Sequence, residues 1–142
     1  MFVNQDFIFS VANNLVLPMW LLLLIAPNWK FTQWFIRYKV IPLALSIVYA
    51  IYLIISIQGG SGLDFGSLAS VMQLFTIKDV ALAGWVHYLA FDLLIGMQMV
   101  QRNRELKFHR LLMAPVLLAT FMMGPIGFLL FTLLKTTKKS KA

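Results

Sequence analysis

The sequence predicts an all-α membrane protein: a bundle of four transmembrane helices with a short amphipathic interfacial helix between the second and third. Three observations carry this. The chain has 142 residues, 61% hydrophobic and 12% charged, with a mean hydropathy of +0.83, whereas a soluble domain holds about 45–50% apolar and about 25% charged residues. The apolar residues gather into stretches close to the roughly 20 that a membrane helix needs. Aromatic and basic residues collect between those stretches, as they do at a membrane interface. At this length a single multi-pass membrane domain over 1–142 is expected.

The first span is expected over 7–26, "FIFSVANNLVLPMWLLLLIA", with Asp6 as its cap and Pro27 and Asn28 at its end. Asn13 and Asn14 interrupt it, and Pro18 is expected to kink it. The segment "PNWKFTQWFIRYK" that follows mixes Trp29, Trp34 and Tyr38 with Lys30, Arg37 and Lys39, an interfacial belt. The second span is expected over 40–57, with Pro42 in its first turn, where proline is tolerated. The glycine-rich "QGGSGLDFGS" then reads as a flexible turn. After it, Leu68, Val71, Met72 and Phe75 recur at helical spacing, which predicts the interfacial helix. The third span is expected over 80–100, opened by Asp79. The fourth is expected over 111–134 and runs into the basic tail "KTTKKSKA". The short basic link "QRNRELKFHR" between them predicts an antiparallel hairpin of spans three and four.

The formal net charge is +7. No separate basic domain carries it, so nucleic acid is not expected as a partner. Basic residues between apolar runs suit membrane lipids and the positive-inside rule instead. The two basic links are expected on the cytoplasmic side and both termini on the other, although the basic tail works against that arrangement. "RNRELKFHR" reads first as a topology signal, and as a lipid-headgroup contact in the alternative. With no cysteine, disulfides and thiolate metal sites are excluded. "MFVNQDF" has neither the basic start of a signal peptide nor the Arg/Ser richness of a transit peptide. No P-loop, GxGxxG or GxSxG is present, and no internal repeat supports a transporter. Two histidines are too few for a metal site, so no metal and no cofactor are expected.

The chemistry centres on "GWVHYLAFDLLIG". His87 and Asp92 lie near the middle of the third span, where an ionisable group costs about 2.5–3.5 kcal/mol and usually marks function. At about 100° per residue, Gly84, Tyr88, Asp92 and Gly96 form one stripe bordered by Trp85. His87 lies about 140° round from Asp92, so one helix does not pair them directly. Asp92 is either a general acid or a carboxyl gluing helices together through Asn13, Asn14 or Tyr88. His87 is either a base or a ring donating to a neighbouring carbonyl. In "FMMGPIGF", Pro125 between Gly124 and Gly127 predicts a kink whose freed carbonyl is open to a ligand or to packing against span three.

Together "NNLVLPMWLLLLIAPNW", "LAGWVHYLAFDLLIG" and "TFMMGPIGFLLF" resemble the family of the plant abscisic-acid-deficiency protein associated with neoxanthin formation, whose bacterial members are filed as a domain of unknown function. The resemblance runs from about Asn13 to Phe131 and is most specific around Trp85–Tyr88 and Asp92. It implies a membrane protein of carotenoid or isoprenoid metabolism acting on an apolar, elongated ligand. Plant members carry a transit extension that this chain lacks, which implies a bacterial inner membrane or a cyanobacterial membrane.

Opening an epoxide to an allenic alcohol is an isomerisation that needs one acid and one base and no cofactor. Asp92 and His87 suit those roles. Trp85, Tyr88, Phe91, Pro125 and Phe128, with Asn13 and Asn14, suit the lining of a polyene slot. The alternative is a non-enzymatic protein that holds a pigment or lipid for a partner. Four spans enclose little volume, and a homodimer is one way to complete a site.

Overall fold

In the computed structural model, residues 4–60 and 62–139 are described. The start of the N-terminal segment, Ser61 of the glycine-rich turn and the last three tail residues therefore lie outside the described residues. Those described are helical or loop, with no strand among them.

Helix α1 (Gln5–Ile25) is capped by Asn4, whose side chain accepts from the Asp6 amide at 3.0 Å. Asp6 is thus not the cap; it sits in the first turn, where a carboxylate faces the positive end of the helix. Pro18 lies inside α1, and the helix continues past it. The segment read as an interfacial belt is itself helical: α2 (Lys30–Tyr38) buries Thr32 and Ile36 one turn apart and exposes Lys30, Trp34 and Arg37. Lys39 then adopts a left-handed conformation, φ 49°. Its amide bonds Phe35 O and its carbonyl accepts from Leu43, so the break leaves neither group open. Helix α3 (Val40–Gln58) follows. Helix α4 (Leu68–Leu74) is capped by Ser67 and matches the expected short helix. Its apolar stripe stays open, with Leu68, Met72 and Phe75 exposed and Leu74 buried.

Helix α5 (Lys78–Leu106) is longer than the expected third span, because the basic link continues the helix to a left-handed Lys107, φ 53°. Its cap is Ile77, and Asp79 lies in the first turn. The stretches Gln5–Ile25, Lys30–Gln58 and Lys78–Leu106 are each long and apolar enough to cross a membrane.

The segment expected as a fourth span is instead two helices, α6 (Arg110–Met122) and α7 (Gly124–Lys139), broken at Met123. The physical cause is local. Pro125 has no N–H and excludes the Phe121 carbonyl from the usual ladder. Gly127 lets the chain fold sharply: a Cβ there would lie 2.4 Å from the Thr120 amide nitrogen and 2.5 Å from its Cα. α7 therefore turns back along α6. The contacts order it in register with α5: Gly124 meets Asp92, Phe128 and Phe131 share a cavity wall with Ile95 and Met99, and Lys138 donates to the Leu106 carbonyl and lies over the Phe108 ring. The same number of residues separates Asp92 from Leu106 as Gly124 from Lys138, about 21 Å of helix. α6 and α7 thus form a helical hairpin with its tip beside the middle of α5.

Helix α5 is the axis of the molecule. α3, α1, α6 and α7 all pack on it, and Val86, Leu93 and Met97 are almost completely buried. Gln5 and Asp6 of α1 meet Asp79 and Lys78 of α5, so the start of α1 and the start of α5 lie at one end. The basic residues of α2, the end of α5, the start of α6 and the end of α7 lie at the other.

Candidate functional site

Tyr88 and Asp92 stand one turn apart on α5 and meet the two sides of the hairpin tip. The break leaves carbonyls open at the end of α6 and amides open at the start of α7. The Tyr88 hydroxyl donates to Met122 O at 2.8 Å, with Phe121 O at 3.5 Å. The Gly124 backbone packs against the Asp92 carboxyl, and the Tyr88 hydroxyl lies beside that carboxyl as well. A Cβ on Gly124 would sit 2.0 Å from Asp92 Oδ1 and 2.6 Å from Cγ, so glycine is what lets the carboxyl touch the tip. Asp92 is 7% exposed, and its Oδ2 has no hydrogen-bond partner among the described residues. One carboxyl oxygen is left over in a place where an unmet polar atom is costly.

The flanking glycines of the stripe serve packing. Gly96 takes the Trp20 ring and Gly84 takes Phe75. From the tip an aromatic line runs outward, with Tyr88 to Trp85 at 5.5 Å and Trp85 to Phe9 at 5.7 Å. Trp85 Nε1 donates to Asn13 Oδ1 at 3.2 Å, and Asn13 donates to Phe9 O at 2.8 Å. Asn13 therefore links α1 to α5. Asn14 is exposed and lies elsewhere, on an apolar cavity of about 320 Å³ between α1, α2 and α3 that Pro18 and Phe35 also line.

His87 does not join this group. Its ring stacks on Phe91 at 4.6 Å and meets Tyr49 of α3 at 5.3 Å. It is exposed, on a different face of α5 from buried Asp92. Pro125 is exposed at the tip. Phe128, 53% exposed, lines a cavity of about 420 Å³ between α5 and α7. The site thus collects Asp92, Tyr88, Trp85 and Asn13, with Pro125 on its rim, and leaves His87, Phe91 and Asn14 outside. Among the described residues no three His, Asp or Glu side chains are grouped to hold a metal.

Sequence reasoning missed the Gly124 backbone, the Met122 carbonyl and Tyr49. The first two had a signal, since Gly-Pro-x-Gly disrupts a helix. That signal was read as a kink, and only the turn-back of α7 makes the two face α5 together. Tyr49 sits in a uniformly apolar span with no local mark.

The sequence model of the ABA4-like (ABA DEFICIENT 4-like) family matches residues 7–131, so the chain belongs to that family. No curated protein and no solved structure matches it. The two stretches that meet at the hairpin tip both lie within the matched residues.

Proposed function

We propose that this member of the ABA4-like family is a multi-pass membrane enzyme of carotenoid or isoprenoid metabolism, an isomerase that opens an epoxide without a cofactor. The observation that carries it is the unpartnered Oδ2 of buried Asp92 at the hairpin tip. The family supplies the carotenoid context, and the site supplies the proton chemistry. In its acid form Asp92 gives its proton to the epoxide oxygen as the carbon–oxygen bond breaks. The carboxylate so formed takes a proton from the neighbouring carbon, and the electron pair of that bond becomes a new double bond. Atoms and electrons balance, and Asp92 regains its proton. Tyr88, fixed on Met122 O, holds the carboxyl against the tip. Trp85 and Phe9 extend an apolar wall for the polyene, beside exposed Met122, Met123 and Pro125. His87, on another face of α5, has no part in this reading.

The test is pigment chromatography of a host that accumulates epoxy-carotenoids, with and without the gene. A new isomer is expected. Asp92→Asn keeps an oxygen beside Gly124 and loses the acid, so product is expected to fall by about 10²–10⁴-fold, the usual contribution of one general acid–base group. His87→Ala is expected to retain product. Normal product from a well-expressed Asp92→Asn protein contradicts the reading.

A second reading has its own observation. The Gly124 and Tyr88 contacts that hold Asp92 are also those of interhelical glue, as in a protein that binds pigment without changing it. That reading predicts altered pigment amount or location with unchanged pigment structure.

A further inference from the structure

A further cavity lies where α1 and α5 end and α6 begins, about three turns along α5 from Asp92. Its volume is about 320 Å³, within the roughly 300–1,000 Å³ of small-molecule sites. Its floor is apolar, with Leu23, Val100 and Leu117 buried. Its mouth carries Arg104, Lys107 and Arg110, all exposed, and among the described residues lining it none is acidic. The cations are positioned rather than loose. Arg110 donates to Ile25 O, a carbonyl left open at the end of α1. Arg104 donates to Gln33 Oε1 at 3.0 Å. Lys107 sits at the left-handed residue that ends α5. Three like charges around one cavity repel one another, and the lining offers no anion to offset them. The apolar floor adds a second requirement that a bare anion does not meet.

We propose that this cavity binds a phosphorylated amphiphile, with its phosphate between Arg104, Lys107 and Arg110 and the first carbons of its chain on Leu23, Val100 and Leu117. Guanidinium and ammonium groups are the usual partners of phosphate oxygens. A membrane phospholipid and an isoprenoid diphosphate share this chemistry, and the experiment separates them.

The whole protein in a neutral detergent is titrated with phosphatidylglycerol, farnesyl diphosphate, phosphatidylcholine and inorganic phosphate, and bound species are counted by native mass spectrometry. Phosphatidylglycerol or farnesyl diphosphate is expected to bind well ahead of phosphatidylcholine and inorganic phosphate, and the tighter of the two names the source. The Arg104→Gln/Lys107→Gln pair is expected to weaken that binding by about tenfold or more. The Arg37→Gln/Arg102→Gln pair removes equal charge outside the cavity and is expected to leave it within about twofold. Arg110 is left intact because it holds the end of α1. Ala114→Leu narrows the same cavity with every cation kept, and its expected loss of binding tests the site independently of the charge variants. Equal binding of phosphatidylcholine or inorganic phosphate, equal weakening by both charge pairs, or unchanged binding in Arg104→Gln/Lys107→Gln overturns the proposal.

Discussion

Asp92 is at the midpoint of α5, as deep from either end as that helix allows, and its neighbours explain how it is tolerated there. One turn back, Tyr88 takes the acceptor side of the hairpin tip, and Asp92 takes the Gly124 side. Tyr88→Phe keeps the ring and removes the donor, leaving the Met122 and Phe121 carbonyls unmet. We expect a loss of about 0.5–1.5 kcal/mol in reversible unfolding in mixed micelles, the net worth of one hydrogen bond. The tip glycines make a graded pair. Gly124→Ala presses on the Asp92 carboxyl, a side chain with some freedom, and is expected to cost about 1–3 kcal/mol as overpacking does. Gly127→Ala presses on the backbone of Thr120, which has less freedom, and is expected to destabilise more in the same unfolding assay. Equal melting of both variants and the parent would remove the tight-tip account.

At the scale of elements, much was legible in the sequence. The membrane-length stretches, the short helix at 68–75 and the Tyr88–Asp92 stripe all follow from apolar length and helical spacing. The separation of His87 from Asp92 also follows from spacing alone, and the ring contacts of His87 agree with it. What spacing does not show is where a broken helix goes next. An apolar run of membrane length reads the same whether it crosses or turns back, and the turn-back depends on a backbone contact between Thr120 and Gly127 that leaves no trace in hydropathy. α2 carries a clear helical period, Phe31, Trp34, Phe35 and Tyr38 at i, i+3, i+4 and i+7, but over only nine residues whose aromatic and basic composition also suits an interfacial belt.

The loop between α3 and α4 supports a separate prediction. Asp64 lies outside the membrane-length helices and is held below the usual carboxylate range by Ser70 first and by the Gly66 amide, 2.8 Å away. A carboxyl lowered in the folded state stabilises above its unfolded value, about 3.9, and loses that contribution as pH falls through its folded value. Hydrogen exchange is therefore expected to show loss of protection at the Gly66 amide in acid while α5 stays protected. Acid-insensitive exchange there would contradict this.

For the molecule as a whole, the hairpin settles an arrangement that a four-span chain leaves awkward. With α7 turned back, Lys135 and Lys138 come to the same end as Lys30, Arg37, Lys39, Arg102, Arg104, Lys107 and Arg110, and Lys78 lies at the opposite end beside Asp6 and Asp79. Lys/Arg counted near helix ends set orientation, so we predict the basic end in the cytoplasm and the start of α1 on the far side. The same turn-back presents the tip to Asp92, and the proposed chemistry depends on it. The most direct measurement is the sidedness of the two termini, read with a reporter fused at each in turn. The hairpin predicts a cytoplasmic C-terminus and an N-terminus across the membrane. Both termini on one side would mean that residues 111–134 cross as a fourth span, and would contradict both the hairpin and the site built on its tip.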